Sequence, residues 1–472
     1  MKYIVCKIIK VLSSSPLGRL GAAFLLFTLF SCQKLDVNSP NDVPANDVFK
    51  NADGLRSAMV GLYNNMQQRD YYGAYYPLMS DLNSDVSTQG GYDIPALNDI
   101  GAHAVTTSNV YVEKIYLAIY RCIANANEIL QAVDNISDPI LSAEERKSIK
   151  GQTLALRGLA HFDALRMFGY HWDNVSALGI PVVLSVQKEK DIVTRSTVAQ
   201  SYSAVLKDLN DADALLGESE LTAQYANQLF VKGLLARVYL YQQNYESASS
   251  FAQAVIDDGT YALLEADKFS SIYSSRLTRE SVFELSFDGQ NQSFFNGVTY
   301  VRDDALRTEI FFLARQGMQE FFNSRPGDIR SGLMDFENND ESILPDGRTQ
   351  KYRGEVLKDN PAYILRIAEM YLIAAEAKKL GGGGLDFLNT LRQARGMAAL
   401  TGEDVQDEAA FLNAVLDERK AELNFEGHRF FDLARLGKIN EVLGVDDTNA
   451  VFPIPQREIT ATNNTLIQNP GF

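Results

Sequence analysis

Between residues 418 and 435 acids and bases alternate at helical spacing. Glu418, Glu422, Glu426 and Asp432 interleave with Arg419, Arg429 and Arg435 at intervals of three and four. Two such carboxylates could act as general acid and base, the pair a glycosidase places on either side of a sugar. The same spacing also makes a salt-bridge lattice along one helix, each exposed pair contributing about 0.3 kcal/mol. The lattice accounts for every one of these residues, and Arg366 with Glu369 reads the same way. Among 60 acids the sequence singles out no catalytic pair, and it contains no Gly-x-Ser-x-Gly elbow. His103, His161, His171 and His428 neither pair closely nor fall in an HExxH run, so no zinc site is expected. The "LGGGGLD" stretch at 380–386 lacks the Lys-Ser/Thr of a phosphate loop and reads as a hinge between helices.

Binding chemistry is better represented. A sugar offers C–H faces that pack on aromatic rings and hydroxyls that need partners, so its site mixes flat rings with Asp, Asn and Arg. Tyr71, Tyr72, Tyr75, Tyr76 and Tyr92 stand among Asp81, Asn83, Asp85, Asn98 and Asp99 in a stretch read as a long loop. A second patch, "DGQNQSFFNGVTYVRDD", carries Phe294, Phe295, Tyr300 and Arg302. The competing role for each ring is to fill the core where insertions meet helices. Trp172, the only tryptophan, reads as a packing residue.

These patches need a scaffold, and the scaffold is helical. A helix is expected over about 47–68. Val112, Ile115, Ile119, Ile123, Ala126, Leu130 and Val133 mark one apolar face, 142–169 continues helical, and Val198 to Leu216 marks another. "GIPVV" at 179–183 reads as a turn and short strand. Ala236, Tyr239, Tyr245, Ala248 and Ala252 fall at tetratricopeptide-like offsets, and Ala368 with Tyr371 repeats the first of them. About a hundred residues of mixed composition, 260–360, separate the two, so the repeats are not evenly spaced.

The amino-terminal segment reads as an address. Residues 1–31 carry Lys2, Lys7, Lys10 and Arg19, no acid, and an apolar run from Leu20 to Phe30 too short to span a bilayer. Leu29-Phe30-Ser31-Cys32 resembles a bacterial lipoprotein box, which makes Cys32 the lipidation site; the alternatives are an ordinary signal peptide and a core helix with an incidental thiol. Residues 32–46, with Pro40 and Pro44, form a polar tether, and 47–472 forms the domain. Two or more acyl chains hold a protein stably on a membrane. Losing the four cations moves the formal charge from −16 to about −20, which disfavours nucleic acid. Cys122 then has no partner and reads as a buried small side chain.

Five phrases, "RGLAHFDALRMFGY" with "GIPVV", "LRIAEMYLIAAEA", "LDERKAELNFEGHRFFDLARLGK" and the terminal "FPIPQREITATNNTLIQNPGF", together with Cys32, resemble the SusD/RagB family of outer-membrane nutrient-binding lipoproteins. The resemblance implies a mostly α fold with minor β, about four tetratricopeptide-like helix pairs and long loop-rich insertions. It implies an oligosaccharide ligand, a partner TonB-dependent (SusC-like) transporter, membrane contact through the lipid alone, and neither cofactor nor catalysis. A helical interaction scaffold and a secreted glycoside hydrolase are the alternatives.

Overall fold

The computed structural model describes residues 48–90, 93–188, 191–217, 222–299, 310–336, 346–352 and 359–472. Cys32 with the whole 1–46 segment, Tyr92, Tyr300 and Arg302 lie outside them.

Eight helices run from α1 to α8: Ala52–Met66, Tyr75–Leu82, Pro95–Gly101, Val110–Val133, Ala143–Phe168, Val198–Leu216, Gln228–Tyr241 and Tyr245–Asp258. Polar caps start most of the long ones. Asn51 accepts from the Gly54 amide at 2.9 Å, Ser142 from Glu145 at 3.0 Å, and Thr197 with Gln200 forms a reciprocal box; each satisfies amides that a helix start leaves unpaired. In α4 the buried face is the expected one, with Val112, Ile115, Ile119, Ile123 and Val133 inside, and Cys122 is buried too. In α5 burial is continuous from Gly151 to Phe168, because α4 packs on one side and α6 on the other. A Cβ on Gly158 would come 3.0 Å from Leu209, so glycine lets α5 and α6 close up.

After α8 come short α9 (Ser271–Ser274), α10 (Phe295–Thr299) and α11 (Gln316–Asn323), then α12 to α15: Ile367–Lys378, Gly384–Ala394, Glu408–Leu423 and Arg429–Arg435. Each long helix from α4 to α8 packs on the next, and α8 hands over to α12 across the insertion. The hinge between α12 and α13 needs glycine: a Cβ on Gly384 would meet the Ala375 carbonyl oxygen at 2.3 Å.

The strands are short and antiparallel. β1 (Ser87–Gln89) pairs with β3 (Phe312–Ala314), β2 (Ser281–Leu285) with β6 (Ala362–Arg366), and β4 (Met334–Asp335) with β5 (Arg348–Thr349). The fold is therefore mostly helical with minor β, as expected. Two local expectations fail. The stretch after residue 69 holds α2, β1 and α3 rather than one long loop. "GIPVV" forms no strand; Asn127 and His161 bind its backbone at Val183 instead, at 3.0 and 3.2 Å.

The carboxy-terminal tail is fastened by side chains. Asn469 donates to the carbonyls of Phe168 and Phe452 at 3.0 and 2.8 Å and accepts from Arg195 at 2.8 Å. Trp172 is half-buried and leans on Tyr170, ring centroids 4.9 Å apart.

Candidate ligand-binding surface

The tyrosine-rich stretch folds inward around one carboxylate. Asp163, on α5, accepts from the hydroxyls of Tyr71 and Tyr72 at 2.7 Å each and of Tyr76 at 2.9 Å. One helical turn on, Arg166 donates to Asp163 at 2.6 Å and to the Tyr76 oxygen at 2.9 Å. The Arg166 guanidinium lies 4.8 to 5.8 Å from the rings of Phe431, Phe162, Tyr76 and Tyr241. None of Tyr71, Tyr72, Tyr75 and Tyr76 is more than 5% exposed. Burial pushes the phenols of Tyr71, Tyr72 and Tyr76 well above their ordinary value near 10, so they stay donors. The expectation that these rings face a sugar is corrected for Tyr71, Tyr72 and Tyr76, whose hydroxyls all converge on a buried acid and whose rings have no free face; Tyr75, equally buried, packs instead against Tyr111.

The charged run is also inside, not on an exposed face. Glu422 accepts from Arg395 at 2.9 Å and Arg366 at 2.8 Å, with Arg330 at 3.1 Å. Glu418 takes Arg330, Arg325 at 2.7 Å and Arg392 at 3.0 Å. Glu426 takes Lys351 at 2.7 Å and Arg366 at 2.9 Å. Arg419 pairs with Asp432, and Arg435 joins Asp432 to Glu376. Arg366 and Glu369 do not pair with each other; Glu369 holds Arg237 of α7 at 2.7 Å. These acids bind cations from distant segments, so the network ties insertion to spine. Charges this deep cost desolvation and persist only when fully paired.

Among the other sequence candidates, Asp81 is buried, accepting from the Gly427 amide at 3.0 Å, and burial pushes it up to about 7. Burial opposes ionisation of Asp85 too, yet Arg429 and Lys420, each at 2.7 Å, hold it down to about 2. Phe295 is buried and stacked on Tyr352 at 4.1 Å. Asn98 is exposed on α3, bound to Asp93. Burial pushes His161 down to about 3 and His171 and His428 well below the imidazole range. No cluster of three or more His, Cys, Asp or Glu suited to a metal occurs among the described residues.

One surface does join the two aromatic patches. Arg69, just past α1, sets its guanidinium 5.0 Å from the Tyr75 ring centroid and 5.5 Å from that of Phe294. Tyr75 meets Tyr111 of α4 edge-on at 5.1 Å. Asn291 donates to Gln67 at 2.9 Å, and Gln67 to the Ser286 carbonyl at 2.6 Å, stitching the patches together. Asp288 accepts from the amides of Gln290 and Asn291, both at 2.8 Å, which fixes the turn carrying Asn291. Phe294 is 41% exposed, and Tyr111 and Asp70 are half-buried. The arrangement offers a ring backed by a cation, amides and a carboxylate, and each can contact a hydroxylated ligand. Arg69 and Tyr111 were not singled out by sequence reasoning. The available signal was a lone cation at the head of "RDYYG".

Two family models cover most of the chain: one described as starch-binding associating with outer membrane matches residues 34–240, and the SusD family model matches 344–451. The chain belongs to the SusD/RagB family.

Members and neighbours agree with this along nearly the whole length. SusD-like protein P2 of Formosa agariphila is 24% identical, the alignment covering 95% of this chain and 98% of that protein. A SusD superfamily structure from Bacteroides vulgatus is 28% identical with a TM-score of 0.77, covering 90% of this chain and 99% of that one. A laminarin binding SusD-like protein shares the fold with a TM-score of 0.75 at 22% identity, covering 90% of this chain and all of that one. The SusD/RagB family is associated with the outer membrane. No helix among the described residues of this SusD/RagB chain is long and apolar enough to cross a membrane.

Proposed function

We propose that this SusD/RagB chain is a cell-surface glycan-binding lipoprotein, acylated at Cys32, that captures an oligosaccharide and delivers it to a SusC-like TonB-dependent transporter in the outer membrane. The observation that carries the reading is the Arg69 guanidinium between Tyr75 and an open Phe294 ring. That geometry holds a flat apolar face rigid, with hydrogen-bonding groups at its rim, as a sugar requires. Binding of laminarin by a structural neighbour supports a glycan as ligand. Tyr92, Tyr300 and Arg302 belong to the same reading because they are members of the two patches in sequence. The chain acts by binding, without catalysis or cofactor.

Calorimetric titration of the full chain with laminarin, starch and xylan oligosaccharides tests this. At least one glycan should bind, and Phe294→Ala should weaken it tenfold or more. Equal binding by parent and variant would sink the assignment of the site.

A further inference from the structure

Among the buried or half-buried arginines of the described residues, Arg69 alone has neither a carboxylate nor a carbonyl to bind. Arg157 meets Asp208 at 2.6 Å and Arg330 meets Asp328 at 2.8 Å. Arg315 donates instead to the carbonyls of Ser87 and Gly101, at 2.8 and 3.2 Å. The Nε of Arg69 is buried and unpaired, and its two terminal nitrogens, unbonded as well, keep their contact with solvent. Rings hold it in place, with centroids 5.0 Å away for Tyr75 and 5.5 Å for Phe294. Burial raises the hydroxyls of Tyr75, to about 12, and of Tyr111, and Arg69 is the strongest influence pulling both back down. A guanidinium that gives up water for rings alone keeps most of its hydrogen-bonding capacity unused.

A second cation stands on the same surface. Lys114, one turn along α4 from Tyr111, is exposed, its ammonium 5.9 Å from the Tyr111 ring. It forms no ion pair among the described residues; Glu113, its neighbour in the chain, faces Arg457 at 3.5 Å instead. The acids nearby do not take up these charges. Asp70 bears on Tyr75 and Tyr111 less strongly than Arg69 does, and Asp288 is turned onto the amides of Gln290 and Asn291. A sugar hydroxyl can accept from the open edge of Arg69. A carboxylate or sulfate accepts from both terminal nitrogens at once, through bonds roughly twice as strong. Resting on the reading of the Phe294 surface as a glycan site, we infer that the glycan is acidic: its carboxylate or sulfate ester docks on the open edge of Arg69 while a sugar face lies on Phe294, and Lys114 adds to the attraction.

Calorimetric titration of the full chain with matched pairs tests this: glucuronoxylan against xylan, oligogalacturonate against its carboxyl-reduced form, and κ-carrageenan oligosaccharide against its desulfated form. In at least one pair the acidic member should bind about tenfold tighter or more at about 50 mM NaCl, the carboxylate and sulfate arms telling which anion is taken. That preference should shrink about threefold or more at about 500 mM, since exposed charges are screened. Arg69→Met keeps a stem to pack on the rings and should bring the preference to within about threefold. Lys114→Met alters only an exposed side chain and should lower it about threefold; should Arg69→Met fail to fold, this variant and the salt series carry the test. A preference left intact by the substitutions, with both members of a pair weakened equally, would mean that Arg69 only props Phe294 and would overturn the inference. Equal binding within every pair, or tighter binding of the neutral member, overturns it too and leaves the glycan reading standing. Binding of no member of any pair overturns both.

Discussion

The amide of Gly427 donates to the carboxylate of Asp81 across 3.0 Å, joining α2 to the turn between α14 and α15, 346 residues further along. Asp81 is fully buried, and burial, the largest influence, raises it from 3.8 to about 7 against the pull of that amide. A carboxyl raised on folding binds more protons in the native state between those two values. Its contribution is therefore most favourable below about pH 4 and is lost as pH rises to about 7, by at most about 4 kcal/mol. Asp81→Asn keeps an acceptor for Gly427 and should flatten that part of the stability profile. Denaturant midpoints at pH 4, 5.5 and 7.5 measure this; a parallel profile in the variant would refute it.

Asp85 should behave in the opposite sense. Arg429 and Lys420 hold its folded value near 2 despite burial, so its contribution is present above about pH 4 and fades as pH falls through 2. Asp85→Asn should cost about 2 kcal/mol at pH 7 and almost nothing at pH 2. Urea unfolding at the two pH values provides the comparison.

Removing Asp163 should cost far more than removing any one of the hydroxyls it accepts. Tyr71→Phe deletes one hydrogen bond, worth about 1 kcal/mol. Asp163→Ala strands the Arg166 guanidinium among four rings and orphans three phenols, at about 3–5 kcal/mol. Equal losses in the two variants, read by thermal unfolding, would contradict the convergence of all three on one acid.

Arg395 and Glu422 should be strongly coupled. Either Arg395→Met or Glu422→Gln alone leaves buried charge uncompensated at about 3–5 kcal/mol. The double variant should cost less than the sum by about 1–3 kcal/mol, since the two share a network. Strict additivity in a double-mutant cycle would argue against the pairing.

What could be read from residues alone was whatever repeats locally. The apolar series from Val198 to Leu216 marks the very bounds of α6, because one face of that helix is buried and the other is wet. α2 gave no such signal: all of Tyr75 to Leu82 is buried, so apolar and polar positions do not alternate. The partner of Tyr71, Tyr72 and Tyr76 is 87 to 92 residues away, beyond any spacing rule. For the charged run, spacing revealed neighbours on one helix, whereas Arg330, Arg366 and Glu280 arrive from the insertion and β strands and turn an apparent surface lattice into a core. The ligand surface was half legible. Phe294 stood out as an aromatic in a polar stretch, but Arg69 gains its role only once two distant patches meet.

The hold of Asn469 on the end of α5 has a consequence in time. Phe168 leaves the ribosome some 300 residues before the amide that will bind its carbonyl exists, so most of the helical spine must assemble with that joint still open. Until Asn469 arrives, the Phe168 and Phe452 carbonyls wait for the donor that closes this joint.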